Sequence, residues 1–448
     1  MANLESISLF SNCGAGDVGF ARAGFRFRVL AEIDERRLDV ALRNHPDASG
    51  VTGDLRETSR DVVASYREAC DSVQPTLLSA CPPCQGMSSA RGGRGHENDA
   101  DAGTRDARNL LVEVIADVAK EVEPRIVVVE NVPAFLSRLV VDPHTGDQIS
   151  AAALLMRLLE HHYSVFPFLT DLADYGIPQR RVRAFLTFIR SDEPSLELLE
   201  QEALVPYPCA SAYLESSEPR TLGEALADLG AKPLDALTPS QARDEANPMH
   251  VVPVWGNSRQ YRMVAAIPPG SGGRAWQNSQ CEQCGKVDVG PDDAVCPVCG
   301  APLLRPVVQE EDGSYRLVKG FRNSSYSRML PDDPAATITT ASGHVGSDLT
   351  IHPFENRLLS PFECAYLQTF PAGFDWGTAL NRWGPTFVRT IIGEAVPPKF
   401  TSEHGAAIAL LLSGTVEGLA SSTDERVRKA ERRLSRQQHS SLERVDYA

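Results

Sequence analysis

The sequence of 448 residues predicts a doubly wound, mostly parallel α/β sheet over its first 190 residues. Two observations support this prediction. Short apolar segments alternate with segments of helical apolar spacing, and residues 125–132 (RIVVVENV) form a continuous apolar run, which is typical of a strand buried on both faces. The composition, 42 % hydrophobic and 23 % charged, excludes a mostly disordered, collagen-like or coiled-coil protein.

The predicted elements follow one another in a regular order. Strands are expected at 6–10, at 28–34, just before Gly53, in the segment TLLSACPPC at 76–84, at 125–132 and at 181–190. Helices are expected to begin in FARAGF at 20–25 and to span 36–44 and 109–122. The carboxyl ends of the parallel strands should therefore meet at one edge of the sheet, where the sites of such folds lie.

The composition changes after residue 190. Residues 191–250 carry twelve acidic and three basic residues, whereas 251–330 carry nine basic and seven acidic residues and include four paired cysteines. We expect one domain at 1–190, a second at 191–335 with its acidic segment at 191–250, and a segment 336–415 that packs back on the first domain. The remainder, 416–448, is a polar tail whose basic stretch 426–436 is interpreted as a solvated helical extension.

The charge of the chain bears on its partners. The formal net charge of −15 taken as a whole argues against a nucleic-acid partner, but residues 191–250 alone contribute −9, and 176–190 carry four arginines and no acid. Nucleic-acid contact would thus be confined to a cleft between the two domains. The sequence has no apolar stretch of membrane-spanning length and begins without the features of a signal peptide, so a cytoplasmic protein without a membrane partner is expected.

The turn after the first strand has the layout of a nucleotide-cofactor site. It carries Gly14, Gly16 and Gly19, and Glu32 ends the second strand, where a carboxylate can accept hydrogen bonds from ribose hydroxyls. Asp54 follows the third strand and could meet an adenine amine. Glycine-rich turns also occur for purely structural reasons, but no phosphate-binding G-K-S/T is present, so a cofactor without phosphates such as S-adenosylmethionine fits best.

Three further segments carry reactive side chains. SACPPCQGMSSARGGRG brings Cys84 to a strand end ahead of a loop in which Arg91 and Arg94 can meet phosphates, whereas Cys81 is interpreted as structural. A buried inert thiol is the alternative for Cys84, but the two prolines and the polar loop argue against it. Glu130 ends an apolar strand as a partly desolvated carboxyl, and 179–183 (QRRVR) is a basic turn before the last strand.

These segments resemble, in order, the motifs of the DNA (cytosine-5) methyltransferase family. The resemblance covers about residues 6–412 and rests on the segments SLFSNCGAGDVGFARAGF, AEID, GDL, PPCQGMS, ENV, DYGIPQRRVR, SYSRMLPDDPAATITT, ENRLLSPFECAYLQTFPAGF and IIGEAVPP. Four positions depart from the family pattern: Asn12 and Ala15 replace glycines, Tyr366 replaces an arginine, and Glu394 replaces an asparagine. The first two could reshape the methionine end of the cofactor pocket, and Glu394 leaves one cofactor contact open.

The resemblance implies a Rossmann-like S-adenosylmethionine-dependent methyltransferase domain at 1–190 and a smaller target-recognition domain at 191–335, which the cysteine spacing predicts to contain zinc. It implies a Cys84 nucleophile, assisted by Glu130 and Arg183, with Arg181 holding a phosphate or the loop. The implied cofactor contacts are Phe10, Gly14, Gly16, Glu32, Ile33, Asp54, Leu55, Pro83 and Leu111. The implied nucleic-acid contacts are Gln85, Ser88, Arg91, Arg94 and Gln179.

Four cysteines in the second domain have metal-ligand spacing. Cys281 and Cys284 form one C-x-x-C pair, and Cys296 and Cys299 form another, within a predicted ribbon at about 276–305. This arrangement predicts a structural zinc site, with iron as the lesser option and four unligated thiols as the remaining one.

The expected function is methylation of carbon 5 of a flipped-out cytosine in double-stranded DNA, in bacterial modification or defence. A cognate restriction endonuclease or defence-system proteins are candidate partners. Two alternatives stay open at this stage: methylation of RNA by the same chemistry, and an inactive relative that only binds nucleic acid. The intact Cys84, Glu130 and Arg183 argue against inactivity, and the large cysteine-bearing insertion favours DNA.

Overall fold

The computed structural model describes residues 4–71, 73–83, 107–212, 218–319, 324–347 and 349–442. The strands are β1 (Leu4–Leu9), β2 (Phe25–Glu32), β3 (Ser49–Thr52), β4 (Leu77–Ala80), β5 (Ile126–Asn131), β6 (Leu139–Val141), β7 (Gln148–Ser150), β8 (Tyr163–Asp171), β9 (Val182–Arg190), β10 (Leu204–Pro208), β11 (Arg243–Asp244), β12 (Asn247–Val251), β13 (Val307–Gln309), β14 (Tyr315–Leu317) and β15 (Leu419–Ser421). The helices are α1 (Ala15–Arg22), α2 (Glu35–Asn44), α3 (Leu55–Cys70), α4 (Leu111–Val122), α5 (Ala151–Leu159), α6 (Ser195–Gln201), α7 (Leu222–Leu229), α8 (Arg259–Ala265), α9 (Pro361–Leu367), α10 (Ala379–Glu394), α11 (Pro398–Leu412) and α12 (Glu425–Leu442).

Seven strands form one sheet in the order β3-β2-β1-β4-β5-β9-β8. Strands β1 to β5 are mutually parallel, whereas β9 runs antiparallel to both β5 and β8. The predicted α/β fold is thus confirmed as a mixed sheet, although the sequence analysis did not identify β8 as a strand. The reversal at β9 has a simple cause: the chain between β8 and β9 is too short for the crossover that a parallel pair requires.

The sheet is buried on both faces, as the apolar run in β5 predicts. Val127 and Val129 pack against one layer, formed by α3, α4 and α5, while Ile126 and Val128 face a second layer that contains α1 and α11. Alternate side chains of a strand point to opposite faces, so β5 needs apolar residues at every position. Helix α11 comes from the C-terminal part of the chain, which therefore completes the core of the N-terminal half.

Helices α1 and α11 approach each other closely at Gly19. A β-carbon at this position would overlap the Thr401 side chain and the carbonyl oxygen of Pro398, whereas one at Gly16 would make ordinary contacts with Val396, at 3.4 Å, and Thr401, at 3.9 Å. The absence of a side chain at Gly19 is thus what lets the two helices touch.

The region that contains β11 to β14 has little regular structure and its own small apolar clusters. One cluster groups Met263, Val264 and Ile267 with Ile351 and Leu358, which come from distant parts of the chain. The guanidinium of Arg328, which is fully buried, donates to the carbonyl oxygens of neighbouring loops, including Ile267 at 3.0 Å and His352 at 2.9 Å. Backbone groups that a helix or strand would otherwise satisfy are satisfied here by one side chain.

Helix α12 is not the solvated extension that its basic sequence suggested. Val427 and Ala430, three residues apart on one helical face, are buried against the sheet, with Leu434 packed beside them. Among the residues that the structure describes, none of the helices is both long and apolar enough to cross a membrane.

We predict that Gly19→Ala destabilises the protein by about 1–3 kcal/mol, because the new methyl group overlaps α11. Alanine otherwise stabilises helix interiors relative to glycine, so the matched Gly16→Ala variant should be neutral or slightly stabilising. Urea unfolding of the two variants checks this, and equal stability of both would contradict the close contact.

Candidate active site

A cavity of about 1400 Å³ lies at the carboxyl ends of the parallel strands. Its wall includes the ends of β1, β2, β4 and β5 and parts of the C-terminal segment around Thr337 and Gly393. A site for one small molecule typically occupies about 300–1000 Å³, so this cavity has room for a cofactor and a second ligand together.

Most predicted cofactor contacts line this cavity. The residues that do so are Phe10, Gly16, Glu32, Ile33, Asp54, Leu55, Pro83 and Leu111. Gly14, contrary to expectation, does not line the cavity: it precedes α1 with φ of 73° and packs against Ala41 and His45 of the α2 region. Its positive φ and this close packing are sufficient reasons for a glycine at position 14, so a contact with a ligand is not needed to explain it.

Glu32 holds the turn after β1 in place. Its Oε2 accepts the backbone N–H of Asn12 at 2.9 Å and its Oε1 accepts that of Asp34 at 3.1 Å. Burial raises the pKa of Glu32 above its ordinary value. The carboxylate therefore forms part of the cavity wall, and the remaining lone pairs of its oxygens can accept ligand hydroxyls.

Asn12 and Glu394, two departures from the family pattern, have structural partners. Asn12 has φ of 49°, a conformation that asparagine tolerates better than most residues, and its Nδ2 donates to the carbonyl oxygen of Ile391 at 2.9 Å. Glu394 forms an ion pair with Arg37 of α2, with Nη1 and Oε2 at 2.6 Å. Both contacts join the N-terminal half of the cavity wall to the end of α10.

Asp54 caps α3. Its Oδ1 accepts the backbone N–H of Arg56 at 3.0 Å, and the Arg56 guanidinium also binds the carboxylate. Hydrogen bonding from the Arg56 side chain holds the pKa of Asp54 below its usual value. The expected adenine contact of Asp54 stays a prediction, because this capping geometry alone accounts for an acidic residue here.

Asp17 is a buried acid in the cavity wall that the sequence analysis did not single out. It is 4 % exposed and accepts a hydrogen bond from the Ser8 hydroxyl at 2.9 Å. Burial raises its pKa from 3.8 to about 7. Its only sequence signal is the position in the first turn of α1, which is common for acids of no functional importance.

Glu130 lies at the end of β5 opposite the start of β9. Its Oε1 is 2.8 Å from Nε of Arg183, and its Oε2 accepts a hydrogen bond from Sγ of Cys81 at 2.8 Å. The antiparallel register between β5 and β9 pairs Glu130 with Phe185, which brings Arg183 beside the carboxylate. The family resemblance implied that Glu130 and Arg183 act on the same base, whereas no signal in the sequence pointed to the Cys81 contact.

The loop that leads to Cys84 is anchored at its start. Nδ2 of Asn131 donates to the carbonyl oxygen of Pro82 at 2.9 Å, and Pro82 and Pro83 both line the cavity beside Glu130. Cys84, Gln85, Ser88, Arg91 and Arg94 lie outside the residues that the structure describes.

Two predicted contact residues are buried inside the protein. Gln179 is fully buried, with its side chain bonded to Gln368 at 3.1 Å and to the backbone N–H of Ile338 at 2.9 Å. Arg181 is 1 % exposed and donates to three backbone carbonyl groups. Both side chains point between the sheet and the C-terminal segments, so neither is exposed for a contact with DNA in this structure, and their predicted contacts stay predictions. The neighbouring Arg180 is exposed instead.

The four cysteines of the second region come together as their spacing predicts. Their sulfur atoms all lie within 4.8 Å of one another, with Cys281–Cys299 and Cys284–Cys296 each at 3.6 Å. Gly285 and Gly300, with φ of 73° and 72°, make equivalent turns after the two pairs. Four cysteine sulfur atoms this close together provide the ligands that a tetrahedral thiolate metal site requires.

The structure thus combines an α/β sheet with a large cavity at the carboxyl ends of its parallel strands, which the Glu130–Arg183 pair lines. The sequence profile described as C-5 cytosine-specific DNA methylase matches residues 4–409. The chain belongs to this family.

Individual relatives agree with this assignment. The chain is 25 % identical over 409 residues to the type II methyltransferase M1.HgaI of Avibacterium volantium, covering 88 % of this chain and 95 % of the relative. It is also 25 % identical to the putative type II methyltransferase M.OihORF3336P of Oceanobacillus iheyensis, covering 92 % and 96 %. The structure of a putative DNA modification methyltransferase from an Escherichia coli prophage has the same fold, with a TM-score of 0.56, 18 % identity and coverage of 92 % of this chain and all of that one.

We predict that Asp17→Asn changes the pH dependence of stability. In the native protein the raised pKa lets Asp17 keep a proton that the unfolded chain releases, so its contribution to stability falls as pH rises from about 4 to about 7. Asparagine can still accept the Ser8 hydrogen bond and does not ionise. The free energy of unfolding of the variant, taken relative to that of the native protein at the same pH, should therefore be higher at pH 8 than at pH 5.

Denaturant midpoints at pH 5 and pH 8 measure this effect. Asp61→Asn, at an exposed position of α3, is the control and should show no such gain. An equal pH response of the two variants would contradict the buried, raised-pKa state of Asp17.

Proposed function

We propose that this chain methylates carbon 5 of cytosine in double-stranded DNA, with S-adenosylmethionine as the methyl donor. The observation that carries the proposal is the pairing of Glu130 with Arg183 beside the anchored start of the Cys84 loop, in a cavity large enough for two ligands. The family membership supports the same chemistry.

The residues of the cavity fit S-adenosylmethionine. Glu32, Asp34, Asp54 and Glu394 bring carboxylate oxygens to the wall, which can accept hydrogen bonds from hydroxyl and amino groups and suit a cofactor without phosphates. Three of them, Asp34, Asp54 and Glu394, are already ion-paired with arginines. We assign the ribose hydroxyls to Glu32, the adenine to Asp54 and Ile33, and the remaining wall to Phe10, Gly16, Leu55, Pro83 and Leu111. When bound, this cofactor supplies an electrophilic methyl group. These residues would hold it at the carboxyl ends of the strands, in the cavity that Glu130 also lines.

The base must leave the DNA helix to reach this depth. The thiolate of Cys84 would then form a bond to carbon 6 of the cytosine, which makes carbon 5 nucleophilic. Glu130 would bind ring nitrogen 3 and offset the charge that develops on the ring, while Arg183 orients Glu130 and the base carbonyl oxygen. After methyl transfer, water would take the proton from carbon 5, the electron pair left behind would re-form the double bond between carbons 5 and 6, and the carbon–sulfur bond would break to release the Cys84 thiolate.

The second region is proposed to recognise the DNA target. We assign residues 1–190 to the catalytic domain, 191–335 to target recognition and 336–415 to the segment that completes the cofactor cavity. A zinc ion held by Cys281, Cys284, Cys296 and Cys299 would be structural, because four protein ligands leave no open position for catalysis. Arg305, which is fully buried and donates to the carbonyl oxygens of Asn278 and Asp293 at 2.7 Å each, supports the loops around this cluster.

The relatives named type II methyltransferases support a role in DNA modification within a restriction–modification system. A cognate restriction endonuclease remains a predicted partner.

We predict that the protein marks cytosines in a defined sequence and that Cys84→Ser abolishes this activity, because a serine hydroxyl is far less nucleophilic than a thiolate. The measurement is bisulfite sequencing of plasmid DNA from cells that lack other cytosine methylation and express the native protein or a variant. Cys209→Ser, outside the cavity lining, is the matched control and should retain the native pattern. Unmodified plasmid with the native protein, or methylation by the Cys84 variant, would contradict the proposal.

We predict one zinc ion per chain, which elemental analysis of the purified protein measures directly. Replacing Cys281 and Cys296 together with serine should remove the metal and weaken target recognition, because these two buried thiols anchor the two pairs. Binding of S-adenosylmethionine should survive, since none of the four cysteines lines the cofactor cavity. Protein without stoichiometric metal would exclude the zinc site.

A further inference from the structure

Helix α12 lies beyond the part of the chain that the family profile matches. The match ends at residue 409, whereas α12 spans Glu425–Leu442. The helix is nevertheless fixed to the catalytic half. Besides its buried apolar residues, Arg426 forms an ion pair with Asp174 at 2.6 Å and donates to the Thr170 hydroxyl at 3.2 Å. Its orientation on the protein is therefore defined.

The face of α12 opposite the buried residues is basic. Arg428, Lys429 and Arg432 are exposed and, at 100° per residue, lie on the side of the helix away from Val427 and Ala430. Arg432 forms an exposed ion pair with Glu425 at 2.5 Å. Among the acidic side chains that the structure describes, none lies within ion-pair distance of Arg428 or Lys429. A chain of net charge −15 thus concentrates positive charge on one helical face.

The same helix reaches the active-site cavity. Arg433 is exposed, and its Nη1 donates to the carbonyl oxygen of Pro133 at 3.2 Å. Both residues line the cavity, and Pro133 follows Glu130 by three positions. The basic face is therefore continuous with the rim of the cavity in which a base would be held.

We propose that the basic face of α12 binds the phosphate backbone of double-stranded DNA beside the base that enters the cavity. This inference rests on the proposed function and adds a DNA-binding surface to it. Arginine and lysine side chains bind phosphates without reading the sequence. The helix then positions the duplex over the cavity, and target recognition is left to the second region.

The local charge explains why such a surface is needed. The acidic chain as a whole repels DNA over long distances, and an arginine-rich face at the cavity rim offsets this repulsion where the duplex must approach. Each phosphate that the protein neutralises adds about 0.9 to the dependence of log Kd on log salt concentration. Removing three basic side chains that each contact a phosphate should thus lower that slope by roughly 2.7 units.

The test compares two variants with the same change in charge. The first combines Arg428→Gln, Lys429→Gln and Arg432→Gln, and the control combines Arg22→Gln, Arg60→Gln and Lys120→Gln at exposed positions of α1, α3 and α4. None of the six residues lines the cavity. The probe is a fluorescently labelled 30-base-pair DNA duplex that contains the sequence mapped by bisulfite sequencing, titrated at several salt concentrations.

We expect the α12 variant to bind this duplex about tenfold more weakly than the native protein at 0.15 M salt, with a reduced salt slope, whereas the control variant changes little. Binding of S-adenosylmethionine, measured by calorimetry, should be the same for all three proteins, since none of the substituted residues lines the cavity. Equal affinity and slope for the two variants would overturn the inference.

This result is separable from the proposed function. If the native protein methylates the plasmid but both variants bind DNA alike, the methyltransferase function stands and α12 has no part in DNA binding. If the native protein leaves DNA unmodified, the function itself fails. An RNA duplex of the same sequence serves as a second probe. If the α12 substitutions weakened binding of the RNA duplex and left binding of the DNA duplex unchanged, the assignment of this surface to DNA would be overturned.

Discussion

One buried guanidinium connects the parts of the chain that form the cavity. Arg181 donates to the carbonyl oxygens of Ile338, Gly393 and Ala395 at 2.8–3.1 Å, and these partners follow it by 157 to 214 residues in the sequence. Burying a charge without partners would cost several kcal/mol, so the side chain is tolerated only because these carbonyl groups surround it. The carbonyl groups are in turn held at the rim of the cofactor cavity. The position of the C-terminal wall therefore depends on a residue that comes just before β9.

The same arrangement recurs where regular structure is sparse. Among the largest fully buried side chains are four arginines, Arg181, Arg305, Arg328 and Arg357. Three of them bind mainly backbone carbonyl groups of irregular loops, and Arg357 forms a buried bidentate pair with Glu363 at 2.7–2.8 Å. A planar group with five donors can satisfy several carbonyl oxygens at once, which an ammonium on a flexible stem does less well. Loops that must carry functional residues can thus stay irregular and still be fixed in position.

Local patterns in the sequence were enough to predict the parallel strands, the cavity edge and the cysteine cluster, because alternation, strand ends and paired spacing are each contained in one short segment. Bringing Glu130 and Arg183 together required the family resemblance, because no local pattern links β5 to the start of β9. Local patterns failed where tertiary contacts decide the outcome. The run QRRVR reads as an exposed basic turn, yet Gln179 and Arg181 point inward. Only the distant loop around Ile338 and the C-terminal end of α10 at Gly393 account for that. Helix α12 differs from its expectation in the opposite direction. Its few apolar residues are too weak a signal in the sequence to predict burial, but they are buried in the structure because they pack beside β8.

Two departures from the family pattern, Asn12 and Glu394, also form contacts between distant parts of the chain. An asparagine in place of glycine at position 12 and a glutamate in place of asparagine at 394 would each be expected to disturb a cofactor pocket. Asn12 instead bonds to the backbone of α10, and Glu394 pairs with Arg37 of α2. Both contacts cross the same boundary that Arg181 spans, between the N-terminal half of the cavity wall and the C-terminal segment. The two substitutions thus add to the contacts that join these halves. Because Glu394 already shares its charge with Arg37, a bound cofactor there would meet a neutral pair and not an isolated carboxylate.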